Sequence, residues 1–326
     1  MTVLITQVVG LLLLCMSMAL LDATSMLSTS TTQLAAAYPK GQVIGLYWKK
    51  KNVLNDVPAD EVVSPQSPKQ LVSDIRNKML GIKSSSITAD GKVDYASIKQ
   101  SESFASYLSL ARQLQGVDLS TLSTAGKKSS LINIYNCLII HAIINGLLDV
   151  KGGTLARLKL YASASYNIGG IEFSLNDIEN GLLRGNRKSA VPFTGRPFPQ
   201  DADPRRKIML DCDARIHFAL NCGAVSCPPI GVYTEESIDD ELALATEGFL
   251  DQSVAMDAAS KTLTLSMLFS WYRQDFGTTD SEVFAWIQRN ASPELREKLR
   301  TFAATVGDLS GLKITYATYN WDLNDI

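Results

Sequence analysis

Apolar residues recur at helical spacing through most of the chain. Between residues 95 and 114, Ile98, Phe104, Tyr107, Leu108 and Ala111 fall at the intervals of one helix face. Residues 131 to 148 form a second, stronger pattern, with Ser129 or Ser130 as the expected N-cap and Gly152 just past the end. Residues 70 to 79 also read as helical, and residues 89 to 92 as a turn. A third helix is expected through Leu175, Ile178, Leu182 and Leu183. There Ser174 offers an N-cap, and Asp177 three residues on makes an acidic capping box. Further helices are predicted at 239 to 250 and 280 to 290, with about one helical turn at 267 to 273. Residues 215 to 220 (RIHFAL) alternate instead. That pattern predicts a strand with Ile216, Phe218 and Leu220 on one face and Arg215, His217 and Ala219 on the other. Residues 263 to 265 read as another short strand. Helices dominate and strands are short, so the expected class is α+β, a mainly helical single domain around a small sheet.

The first residues read differently. Residues 8 to 21 (VVGLLLLCMSMALL) are fourteen without a charge. A bilayer span needs about 20, whereas this length suits the apolar part of a signal peptide. Ala23 and Ser25 are small residues suited to a cut after Ser25. The stretch before the apolar run has no Lys or Arg, so an uncleaved anchor and a buried helix are the alternatives. The expected organisation is a signal peptide at 1–25, an exposed extension at 26–68 and a globular domain at 69–326. The extension is rich in Ser, Thr, Ala and Pro, with one strand around 43–48 and a basic knot at Lys49, Lys50 and Lys51. The destination is then the cell exterior or an endomembrane lumen. Cys15 leaves with the leader. The remaining Cys137, Cys212, Cys222 and Cys227 allow two disulfides in three connectivities.

Charge narrows the partners. Lys plus Arg is 31 and Asp plus Glu is 33, which argues against gripping nucleic acid or anionic membrane through bulk charge. The expected partner is a small-molecule or peptide ligand, with no membrane contact beyond the leader. Two histidines exclude most multi-histidine metal centres. With no GxGxxG, P-loop, HExxH or GxSxG motif, no cofactor or metal is expected.

Two constellations carry candidate chemistry. In the first, His217 and Cys222 flank the turn opened by Asn221 and Gly223. A catalytic thiol needs a base or positive charge nearby, and a sharp turn at Gly223 would bring Cys222 round. The plain alternative is a buried cysteine in a tight loop. A disulfide from Cys222 to Cys227 or Cys212 would exclude the thiolate, and a zinc site on His217, Cys222 and Cys227 is a weaker reading. In the second, Asn133, Cys137, His141 and Asn145 form an uncharged polar stripe along the predicted helix, with Asn136 beside it. Such a stripe is either a buried hydrogen-bond network or the lining of a cleft. The Pro- and Arg-rich loop at 185–207 is long enough to be functional or mobile.

Several of these segments occur together in a known order. Asn133-Ile134-Tyr135-Asn136, then 175–184 (LNDIENGLLR), then Asp203-Pro204-Arg205, then 215–230 (RIHFALNCGAVSCPPI), then 269–277 (FSWYRQDFG) resemble domain-of-unknown-function family 547 (DUF547), over roughly residues 70 to 290. The family has no settled activity. The resemblance points to Asn133, Asn136, Glu179, Arg215, His217, Cys222 and Gly223 as the matching positions. It departs at Asn180, where the family usually has His after the glutamate. Two functions follow as expectations. One is a cysteine-dependent hydrolase or acyl transferase: Cys222 as nucleophile, His217 as base, Asn133 or Asn136 orienting the imidazole or binding the oxyanion, and Arg215, Glu179 and Gly223 contacting substrate. The other is a non-catalytic binding or scaffolding module in which Cys222 is oxidised or inert.

Overall fold

The computed structural model describes residues 51–58, 67–88, 92–149, 153–190, 195–307, 311–323 and 325. The expected leader, the strand at 43–48, two of the three lysines and most of the turn at 89–92 lie outside these residues. Among the described residues, no helix is long and apolar enough to cross a membrane.

The short strand β1 (Asn52–Val53) precedes helices α1 (Pro68–Ser85), α2 (Tyr95–Lys99), α3 (Glu102–Arg112) and α4 (Thr124–Ile144). Helix α4 is the axis of the first core. From Ser129 to Ile144 it carries no charged residue, and every side chain in that stretch is buried. A helix apolar nearly all round is stable only when surrounded. Here α1, α2 and the first sheet cover it. The helix begins earlier than its apolar pattern. Ser123 is the N-cap, accepting from the Gly126 N–H, while Ser129 and Ser130 lie buried inside. It also ends earlier, at Asn145, with Gly146 supplying the positive φ of 71° that follows.

Helix α5 (Gly153–Ser163) leads into β2 (Ala164–Ile168) and β3 (Ile171–Ser174). The first sheet has the order β1-β2-β3, parallel then antiparallel. Gly169 and Gly170 both have positive φ and close the hairpin in two residues. The Asn55 side chain, just after β1, donates to the Ala111 and Asn167 carbonyls and accepts from the Asn167 N–H. Residues 52–55 of the expected exposed extension are therefore stitched into the sheet. Lys51, from the basic knot, pairs with Asp177.

After β3 the capping box forms as expected: Ser174 Oγ accepts from the Asp177 N–H, and Asp177 Oδ2 accepts from the Ser174 N–H. The helix that follows widens into a π turn at Asp177–Leu183. Its bonds Arg184 N–H to Glu179 C=O and Asn186 N–H to Gly181 C=O each span five residues. The long loop is pinned at its middle. Phe198 is fully buried, and both its backbone polar groups bond to the Asn186 side chain.

Helix α6 (Ile238–Ser253), strands β4 (Ala255–Asp257) and β5 (Thr262–Leu265), helices α7 (Leu268–Trp271), α8 (Arg273–Phe276), α9 (Asp280–Asn290) and α10 (Pro293–Val306), and strand β6 (Lys313–Tyr316) complete the chain. The second sheet has the order β4-β5-β6. It packs with α9 and α10 around a second core of Phe269, Phe276, Phe284, Leu299 and Phe302. The architecture is mainly helical α+β with two small sheets.

The expected strand at 215–220 is instead a 3-10 turn, Ala214–Phe218, capped by Asp213 accepting from the Arg215 N–H. Its alternation has another cause. Ile216, Ala219 and Leu220 enter the first core, while Ala214 and Phe218 enter the second. The segment joins two cores, and His217 is left facing the seam between them.

Candidate functional site

At that seam lies a cavity of about 230 Å³. Its wall carries Tyr135 from α4, Tyr161 from α5, Glu179 from the π turn, Trp271 and Tyr272 at the end of α7, and Tyr319 and Trp321 from the segment after β6. Asn176, Asn180, His217, Leu220, Cys222, Cys227 and Pro228 also line it. Widening the helix to a π turn places Glu179 beside Asn176 and Asn180, which are hydrogen-bonded to each other.

Glu179 accepts from two phenols. Tyr135 Oη lies 3.0 Å from Oε2 and Tyr272 Oη 2.5 Å from Oε1. Burial, reinforced by the Glu179 charge, pushes both phenols well above the usual tyrosine range, so they remain protonated donors. The same charge also raises Tyr161 and Tyr319, whose shifts are due mainly to burial.

His217 stacks on Tyr272 with ring centroids 3.9 Å apart. Its Nε2 lies 2.8 Å from Asp275 Oδ2. Asp275 also takes a bidentate pair from Arg184, at 2.6 and 3.0 Å, and a third contact from Arg187 at 2.6 Å. Burial lowers the His217 pKa despite its carboxylate partner, and Arg184 adds to the lowering. The imidazole is therefore neutral and donates Nε2–H to a carboxylate that two guanidiniums also contact.

On the facing wall Cys222 and Cys227 form a disulfide. This corrects the thiol-enzyme reading: Cys222 has no thiolate to offer, and His217 bonds to Asp275 rather than to sulfur. The zinc reading loses both of its thiols for the same reason. Tyr161 donates to the Cys222 carbonyl at 3.2 Å. The rings of Trp271, Tyr319 and Trp321 pack together at 4.6 to 5.1 Å, and the Arg157 guanidinium lies over Trp321.

The sequence-derived residues therefore divide. Glu179, His217 and Cys222 come together at the cavity. Asn133 instead donates to the Tyr233 carbonyl at 2.6 Å. Asn136 donates to the Ala219 carbonyl and accepts from the Asn221 N–H, both at 2.9 Å. Both asparagines are buried supports outside the wall, so neither orients an imidazole or binds an oxyanion. Arg215 is engaged by Asp213 and Asp239, away from the cavity. Gly223 has φ +80°, and a Cβ there would lie 2.8 Å from Ile143, so its role is in the turn. Cys137 is a free buried thiol, its pKa pushed up to about 12 by burial. His141 is sealed among Phe104, Tyr107 and Tyr166. Sequence reasoning missed the aromatic wall and did not single out Asp275. Trp271, Tyr272 and Asp275 stand in a segment already noted for its resemblance, and Tyr319 and Trp321 were signalled by two large rings in an otherwise polar terminal stretch.

Residues 119–250 match the family model described as "Protein of unknown function, DUF547". No curated protein and no solved structure matches the chain.

Proposed function

Since the chain carries a DUF547 domain across residues 119–250, and that domain supplies Tyr135, Tyr161, Glu179 and His217 to the cavity, we propose that it is a binding domain for a small organic cation, a protonated or quaternary amine. The observation that carries this reading is the charge of the wall. Among the described residues, Glu179 is the one carboxylate lining the cavity, six aromatic residues surround it, and no Lys or Arg lines it. The neighbouring charges are engaged away from Glu179, the Arg157 guanidinium lying over Trp321. Asp275 is paired with Arg184 and Arg187, and His217 is neutral. The two phenols on Glu179 occupy one site on each oxygen, and a carboxylate has about four acceptor sites in all. Aromatic faces together with a carboxylate that has no ion-pair partner attract cations and favour them over neutral molecules of the same shape. The size of the cavity suits a compact ligand. A secreted or lumenal location belongs to the same reading, and the Cys222–Cys227 bridge supports it because disulfides persist in oxidising compartments.

The test is titration calorimetry of the full chain with choline and tetramethylammonium, beside 3,3-dimethylbutan-1-ol, the neutral isostere of choline. Choline is expected to bind at least about tenfold more tightly than the alcohol, and Glu179→Gln is expected to remove that preference. Equal binding of both, or binding of neither cation, overturns the proposal.

A further inference from the structure

The two sulfurs of the bridge are not equivalent. Cys227 Sγ accepts from the Cys222 N–H at 3.0 Å and from the Ala224 N–H at 3.4 Å, and the Tyr319 hydroxyl lies 3.2 Å away. Among the described residues, Cys222 Sγ has the Tyr319 hydroxyl alone, at 3.4 Å. A disulfide sulfur is a weak acceptor, but the same donors become charge-assisted once the sulfur carries a negative charge. Three donors converging on Cys227 thus form a preorganised cradle for a thiolate. The turn at Gly223 aims the two backbone N–H groups inward.

We infer that Cys222–Cys227 is a thiol–disulfide exchange site at which an incoming dithiol attacks Cys222 Sγ through the cavity and Cys227 leaves as the stabilised thiolate. Both sulfur-bearing residues line the cavity and are half-buried, so an attacking group has a route. In the first step, a thiolate of the dithiol forms a bond to Cys222 Sγ as the Sγ–Sγ bond breaks, and the electron pair goes to Cys227 Sγ. In the second, the other thiolate of the dithiol attacks its own bridged sulfur. The reagent closes to a disulfide, and Cys222 leaves and takes a proton from water. The dithiol loses two electrons and the protein gains two. Leaving-group stability governs which sulfur departs, and the three donors favour Cys227.

The surroundings also make the change reversible. Asn221 Nδ2 donates to the Pro228 carbonyl at 2.8 Å, tying the two ends of the loop independently of the sulfurs. The Asn221 N–H is held in turn by Asn136. Val225 N–H and Ser226 N–H bond to the carbonyls of Asp322 and Asn320. Reduced Cys222 and Cys227 therefore stay within reach of each other. This inference is independent of which ligand the cavity takes.

The experiment reduces the full chain with dithiothreitol under native conditions and alkylates it with iodoacetamide between pH 5.5 and 9, with site-by-site mass spectrometry. The expected result is opening of the bridge without unfolding, with Cys227 alkylated about tenfold faster than Cys222 near pH 6.5 because more of it is thiolate. Cys137, buried, and Cys212, whose pKa burial raises to about 12, are slow internal references. Tyr319→Phe is expected to narrow the gap by removing one donor. A bridge that opens only when the chain unfolds, or a Cys222 that reacts as fast as Cys227, overturns the inference.

Discussion

His217 Nε2 lies 2.8 Å from Asp275 Oδ2, and the two side chains are 2% and 0% exposed. An isolated carboxylate would be too costly in such a place. Arg184 and Arg187 supply the compensating charge, which leaves His217 as a neutral donor rather than a third cation. The residue that the sequence offered as a general base therefore holds Asp275 and presents its ring to Tyr272.

This fixes the direction of the acid response. The two histidines, His217 and His141, are both buried, and both pKa values fall below the ordinary 6.5, that of His141 to about 3. Below pH 6.5 the unfolded chain takes up protons at both positions while the folded chain resists. The stability they confer is thus fully present above 6.5 and is lost as pH falls toward the folded values. Asp275, also depressed, through His217 and Arg184, confers stability present above 3.8 and lost below it. Urea unfolding should show no histidine-linked change from pH 7.5 to 6.5 and a decline from 6.5 to 4.5, with a slope approaching about 1.4 kcal/mol per pH unit from His141 and a further contribution in the same direction from His217. His217→Gln and His141→Gln should each remove one share of that slope. An unchanged slope in His217→Gln would contradict a neutral buried imidazole.

Gly181 lies in the π turn against Phe198. A Cβ there would fall 2.3 Å from the ring. Helix propensity alone favours alanine over glycine by about 1 kcal/mol, yet Gly181→Ala is expected to destabilise by about 1–3 kcal/mol through overpacking. The double variant with Phe198→Leu should recover part of the loss in chemical denaturation. Full stability of the single variant would show that the ring moves freely.

Arg215 tests the sequence-derived substrate contact. Its guanidinium bonds to Asp213 and Asp239, and it does not line the cavity. Arg215→Ala should leave choline affinity within about twofold, while Glu179→Gln lowers it at least about tenfold. Loss of binding in Arg215→Ala with an intact fold would return that residue to the site.

What the sequence made legible follows from the range of each signal. The Ser174–Asp177 capping box is a local motif and forms as read. The apolar run of α4 is equally plain, but its ends are not. Ser129 and Ser130 look like caps, and only the tertiary core reveals that they are buried in mid-helix. The 215–220 segment misleads for a different reason. Period-two alternation arises from a strand with one buried face, and also from a turn whose neighbours enter two cores. At the site, Glu179, His217 and Cys222 stand in recognisable motifs. The aromatic wall has no spacing to read, because Tyr135 and Trp321 come to it from widely separated parts of the described chain. Part of it, Trp271, Tyr272, Tyr319 and Trp321, also lies beyond the 119–250 family match.

Asn136 offers the sharpest separation of support from chemistry. It is 2% exposed, donating to the Ala219 carbonyl and accepting from the Asn221 N–H, so one side chain holds both ends of the bend that carries Leu220 to the cavity. Asn136→Ala leaves a buried carbonyl and a half-buried N–H without partners. Each unmet group costs about 1–3 kcal/mol, so a loss of about 2–4 kcal/mol is expected in urea unfolding. Asn133→Ala removes one bond to the Tyr233 carbonyl, which Arg76 also donates to, and Asn133 Oδ1 has no partner to lose. Its loss should be clearly smaller, and the difference between the variants isolates the bend. If both cost the same, the bend is held by the bridge between Cys222 and Cys227, and reduction of the wild-type chain should then reproduce the defect of Asn136→Ala.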